Sequence, residues 1–208
     1  MKPILNESSI VVVGLWNRFI FTQEWVFENL ADKKEVRMEF PVSDLSLPYR
    51  YSFDEITFIP GSDRIIVNPN NYTVPCFEKA NDLAVRITRK LPETPCKAFG
   101  FNISYICDPE SPALAELKII PNDKFTDRLS GITVERKFEL DDKTVLNLTM
   151  SEVKDGLFVK FNYHHQLRNK LNPDDLVNKF IEYKEKSEQI MSQVYGEKID
   201  DTESDKPE

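Results

Sequence analysis

The stretch Asp54–Cys107, DEITFIPGSDRIIVNPNNYTVPCFEKANDLAVRITRKLPETPCKAFGFNISYIC, reads as strand, turn, strand, helix, strand, and it decides the fold class. Ile56 and Phe58, then Ile65–Val67, form two short strands about Pro60-Gly61-Ser62-Asp63, whose Pro-Gly pair marks a tight reversal. A helix begins near Thr73–Pro75 and ends at Leu91-Pro92, because proline suits a first turn but disfavours helix at the residue before it. Phe77, Ala80, Ala84, Ile87 and Leu91 recur at spacings of three and four and give that helix one apolar stripe, which needs a sheet to cover. Phe99, Phe101, Ile103 and Tyr105 supply one face of the next strand by alternation, with Gly100, Asn102 and Ser104 on the other.

The pattern extends outward on both sides. Upstream, Ile10–Leu15 is a β-branched run suited to a buried strand, and Thr22 opens a short helix in which Phe21 and Val26 form a hydrophobic staple and Trp25, Val26 and Leu30 face the core. Glu35–Phe40 reads as a strand, and Pro41–Tyr51 as a connection containing Pro48. Downstream, Leu114–Ser130 is less regular. Three alternating strands follow, Ile132–Leu140, Val145–Met150 and Leu157–Tyr163, joined at Asp141-Asp142 and at the hairpin signal Asp155-Gly156: an antiparallel meander with one wet face. The last helix is read with Asn172 as N-cap, Pro173 at its first position, Asp174 and Asp175 in its first turn, and Leu176, Phe180, Tyr183, Ile190 and Val194 as its stripe. Gly196 terminates it. These elements predict one α+β domain over 1–196, a curved antiparallel sheet with helices packed mostly on one face, followed by a disordered acidic tail over 197–208.

Composition bounds the function. With 208 residues, 40% hydrophobic and 30% charged, the chain can build one substantial core. A net charge of −8, from 27 basic and 35 acidic residues, argues against general affinity for nucleic acid or anionic membrane. The odd number of cysteines, Cys76, Cys96 and Cys107, without CxxC spacing, indicates neither a disulfide framework nor a zinc site and fits a reducing interior. The N-terminal sequence reads without a signal peptide, and no apolar run approaches the roughly 20 residues of a membrane span. Asn-x-Ser/Thr triplets at Asn6, Asn71, Asn102 and Asn147 are read as chance matches.

The blocks VVVGLWNRFIFTQEWVFENL, DRIIVNPNNY, LPETPCKAFGFNISY, VLNLTM and GLFVKFNYHHQL, spread over residues 10 to 165, resemble a family of uncharacterised bacterial proteins with the same succession. The resemblance implies a cytoplasmic bacterial protein encoded beside defence or mobile-element genes. It supplies no catalytic residue to transfer.

Residue chemistry points the same way. The two histidines, His164 and His165, are adjacent at a strand end and face opposite sides, a poor arrangement for chelation. If the chain is an enzyme, one of them is its general acid or base. Otherwise His165 packs under the last helix and His164 lies on the surface beside Asn162. Asp141-Asp142 and Asp174-Asp175 are explained by a turn and a helix start, and the six glycines are too dispersed for a phosphate-cradling loop. Gly14 and Gly100, within strands, mark bulges or close backbone approach. Arg86, Arg89 and Lys90, with Lys33-Lys34 and Arg168–Lys170, are solvated clusters unless the fold brings them together. Arg136 falls on the apolar side of its strand and, with Phe158 and Tyr183, is a candidate interface residue. The expectation is a non-catalytic protein–protein interaction or assembly module with no cofactor or metal, an accessory subunit of a bacterial defence or mobile-element system, working through a protein partner or its own copy. The alternatives are an acidic inhibitor of a basic partner and a histidine-dependent enzyme.

Overall fold

In the computed structural model, which describes residues 1–31, 35–41, 48–117, 131–168 and 170–199, the deciding stretch folds as expected. Strands β1 (Lys2–Pro3), β2 (Ser9–Gly14), β3 (Arg37–Glu39), β4 (Arg50–Phe53), β5 (Ile56–Pro60), β6 (Arg64–Pro69), β7 (Cys96–Cys107), β8 (Thr133–Glu139), β9 (Thr144–Val153) and β10 (Gly156–Gln166) form one sheet. Its order is β3-β4-β5-β6-β2-β7-β10-β9-β8, every pairing is antiparallel, and β1 lies beside the far end of β7. Helices α1 (Gln23–Asn29), α2 (Val74–Lys90), α3 (Pro112–Leu117) and α4 (Lys179–Tyr195), with 3-10 turns at Leu5–Glu7, Arg18–Ile20 and Pro173–Leu176, complete the described elements. The fold is α+β, and the sheet is open, neither closed nor strongly curled.

Burial explains the layering. Phe77, Ala80, Ala84 and Ile87 of α2 are fully buried against the side of the sheet that carries Ile10, Val12, Phe58, Ile65, Phe101, Ile103, Phe161 and Tyr163. Helix α2 connects β6 to β7, which run parallel with β2 between them, so its stripe covers the middle of the sheet. Thr22 caps α1 by accepting from the Trp25 N–H, and both staple residues, Phe21 and Val26, are buried. The register shift at Val13/Gly14 is the bulge expected there, and the Pro60–Asp63 turn closes with the Gly61 N–H donating to the Arg64 carbonyl. The three strands of the meander are consecutive antiparallel neighbours.

Four readings need correction. The connection expected over Pro41–Tyr51 contains the start of β4, paired to β5 through Asp54-Glu55, both at positive φ (49° and 65°) as a type I′ turn requires. The β9–β10 turn is Lys154-Asp155 rather than Asp155-Gly156, since Gly156 already pairs with Val153 as the first residue of β10. Asn172 caps a separate 3-10 turn, Pro173–Leu176, and α4 starts only after Asn178, which adopts a left-handed conformation. Helix α4 is also rotated from the expected stripe. Phe180, Tyr183, Lys184, Ser187, Met191 and Tyr195 face inward, whereas Val194 is 59% exposed, because the polar groups on this face have partners in the sheet and in α2's approach.

The packed body also runs past Gly196. Glu197 is 6% exposed, its carboxylate accepts from the Ala113 N–H, the Met1 ammonium donates to the Lys198 carbonyl, and Ile199 packs against the core. Residues 200–208 of the expected tail, residues 118–130 of the less regular stretch, the Lys33-Lys34 pair and Asn169 lie outside the described residues.

Candidate functional site

Among the described residues the helices leave one side of the sheet open, and strand alternation writes a pattern across it. In register, Lys137 (β8) stands beside Asn147 (β9), Asn162 (β10), Asn102 (β7) and Ser9 (β2). On the other wing Asn68 (β6), Thr57 (β5), Ser52 (β4) and Arg37 (β3) continue the same row. The central amides are joined head to tail: Asn147 Nδ2 donates to Asn162 Oδ1 at 3.1 Å, Asn162 Nδ2 to Asn102 Oδ1 at 2.8 Å, and Asn102 Nδ2 to Ser9 Oγ at 3.1 Å. Each linked amide keeps an N–H and a lone pair for an outside group, so the row offers mixed donors and acceptors.

Beside this polar row lies an apolar one. Gly100, Val11, Ile66 and Ile59 are consecutive cross-strand partners, and Phe158 and Ile106 pair further along. All but Gly100, which is buried, are partly exposed. Where the two rows meet, the 3-10 turn Leu5–Glu7 rises above the sheet and walls a shallow groove of about 440 Å³ floored by Ser9, Thr57, Ile59, Ile66 and Asn68. Its rim carries ion pairs of both orders: Lys160 Nζ with Glu7 at 3.0 Å, and Arg50 with Glu39.

The histidines divide as their alternation requires. His164 lies on the open face, with Nε2 3.4 Å from the Gln166 amide oxygen. His165 is 9% exposed on the helix side, stacked on Phe99 at 4.4 Å and 8°. Its Nε2 is 3.0 Å from the Tyr183 hydroxyl and its Nδ1 3.1 Å from the Thr144 hydroxyl. A neutral ring satisfies both contacts, donating to one hydroxyl and accepting from the other. Burial holds its pKa down, to about 4, against an opposing pull from Asp141. Folding therefore disfavours protonation of this ring. The unfolded chain binds the extra proton between pH 6.5 and about 4, so stability is complete above that window and falls as pH drops through it. Urea unfolding should show a loss of about 2 kcal/mol between pH 7 and pH 5, much reduced in a His165→Asn variant. A flat wild-type profile would contradict the buried neutral ring.

The same helix-side network uses up other polar groups. Tyr183 stacks on Tyr163 at 4.0 Å, Tyr163 meets Ser187 Oγ at 3.0 Å, and Tyr72 bridges Tyr105 and Glu188 at 2.7 Å each. Lys184 pairs with Glu188 at 2.6 Å and sits over the Tyr72 ring at 4.5 Å. Burial pushes the phenols up, Tyr183 and Tyr163 both to about 12, so none is poised to ionise near neutrality. The thiols are likewise pushed up by burial, Cys96 to about 11 and Cys107 to about 12.

The expected interface trio does not converge. Phe158 is on the open face and Tyr183 is buried on the inward face of α4. Arg136, in register with Leu148, reaches over the helix side to donate to the Tyr195 hydroxyl at 3.0 Å. Tyr183 is thus a core residue and not a contact surface. Arg86 donates to the Leu30 carbonyl and Arg89 pairs with Asp174. Among the described residues, no three His, Cys, Asp or Glu side chains stand together as a metal site. Comparison with protein-family models and with curated proteins returned no match. The asparagine row escaped the sequence reading, although Asn102, Asn147 and Asn162 each stood on the polar side of a correctly read strand.

Proposed function

We propose that the chain is a non-catalytic protein–protein interaction module whose binding surface is the open face of its sheet. The supporting observation is the joined amide row running beside the apolar Val11–Ile66–Ile59 strip, a surface that offers hydrogen bonds and apolar contact together. Charges of both signs at its rim favour a partner of mixed polarity over the basic partner of an acidic inhibitor. The block resemblance supports a role as an accessory subunit of a bacterial defence or mobile-element system in the cytoplasm. No described helix is long and apolar enough to cross a membrane.

Affinity isolation from the native host tests the reading. A partner recovered with the wild-type chain should be lost with an Ile66→Glu/Phe158→Glu bait of equal melting temperature, and its retention would remove the open face as the binding surface. Replacing His164 alone by alanine should leave the biological activity unchanged. Activity lost at unchanged melting temperature, with the partner still recovered, would instead promote the histidine-dependent enzyme. His165 is unsuitable for this test, because truncating a buried, doubly bonded ring destabilises the fold itself.

A further inference from the structure

Strand β8 ends the sheet, and among the described residues no strand pairs with its outer edge. An edge of unpaired backbone N–H and C=O groups is a template for another strand. The side chains of β8 add a specific pattern, Ile132-Thr-Val-Glu-Arg-Lys-Phe-Glu-Leu140, which is complementary to itself when reversed about Arg136. From this we infer that β8 pairs antiparallel with β8 of a second copy of the chain, across a two-fold axis at Arg136. The inference concerns the edge of the sheet and does not depend on what the open face binds.

In that register Glu135 opposes the second copy's Lys137 on the open face, and the symmetry repeats the pair. On the helix side Val134 opposes Phe138, again twice, and Ile132 opposes Leu140. Phe138 is 43% exposed in the single chain and gains cover. Arg136 opposes itself, but its guanidinium is already drawn back onto its own α4 by the bond to Tyr195. Shifting the pairing by two residues, which keeps both helix layers on the same side, is disfavoured either way. One shift sets Glu135 against Glu135, and the other sets Lys137 against Lys137 and Glu135 against Glu139. Like charges directly opposite are destabilising, so the edge selects a single register and resists promiscuous strand addition.

The test is a charge swap on the full chain, read by sedimentation equilibrium with circular dichroism as the folding control. Wild type should show a monomer–dimer equilibrium. Lys137→Glu and Glu135→Lys should each weaken dimerisation by at least about tenfold, and the double variant should restore it. In an Arg136→Cys variant, mild oxidation should give an interchain crosslink, since residues opposed across antiparallel strands lie about 4.5–5.5 Å apart at Cα. The Ile66→Glu/Phe158→Glu variant should remain dimeric, which separates this inference from the fate of the open face. A wild type that stays monomeric, single variants that dimerise unchanged, a double variant that does not recover, or absence of the crosslink would overturn the pairing.

Discussion

Truncating Phe161 to alanine is expected to cost about 3–5 kcal/mol, a large fraction of the 5–15 kcal/mol by which a domain of this kind is typically stable. Phe161 is fully buried at the middle of β10, paired with Ile103 on one side and Leu148 on the other. Its ring stands at 84° to that of Tyr105 and stacks near Tyr163, so its loss opens a cavity where the two halves of the sheet join. Backbone pairing on both sides prevents the strand from collapsing into that space. Phe158 supplies the control, because it lies on the same strand but on the open face. Its truncation should cost no more than about 1 kcal/mol. Equal losses for the two variants in urea unfolding would mean that the assignment of faces is wrong.

Gly156→Ala should be nearly as damaging, at about 3 kcal/mol. Gly156 has φ of 139°, a region L side chains rarely adopt, and a Cβ placed there would collide with the carbonyl of Cys107. Relief requires either the β7–β10 ladder to part at this end or the β9–β10 hairpin to change its turn. Either movement uncovers the buried Cys107 thiol, so the variant should also label faster with a thiol reagent. Lys154→Ala, in the adjoining two-residue turn, is the comparison and should change stability little. A Gly156→Ala variant as stable as Lys154→Ala, with Cys107 still protected, would show that this end of the sheet is pliable.

What the sequence disclosed and what it concealed follow from the range of the forces involved. The β6–α2–β7 unit and the meander were legible because alternation, helical spacing and turn residues are local signals. Strand β4 was hidden because only Tyr51 and Phe53 alternate inward beside a Pro-containing segment, too short a pattern to announce a strand. The rotation of α4 was hidden for a different reason. Hydropathy favoured Ile190 and Val194, but Ser187 and Lys184 face inward, where Ser187 meets the Tyr163 hydroxyl and Lys184, paired with Glu188, sits over the Tyr72 ring, and no local rule foresees the contacts to Tyr163 and Tyr72 from other parts of the chain. The amide row fell between these cases. Alternation set the face of each asparagine, while the register that joins them is a property of strands brought together from across the chain.

That row also measures how the sheet must assemble. The Asn147–Asn162 bond joins residues 15 positions apart, Asn162–Asn102 spans 60, and Asn102–Ser9 spans 93. Strands β4 to β6 on one flank and β8 to β10 on the other are linked to their neighbours by short reversals, so each wing can form from its own segment of chain. Strand β7 is the seam, and both of its long pairings close large loops before they return any stabilisation. A topology with local wings and a non-local centre belongs among the slower folders of its size, and it keeps β7, with the aromatic side chains of Phe99, Phe101 and Tyr105, waiting unpaired while the wings form. Gly100 and the asparagine and serine on its open side interrupt what would otherwise be a continuous apolar strand during that interval.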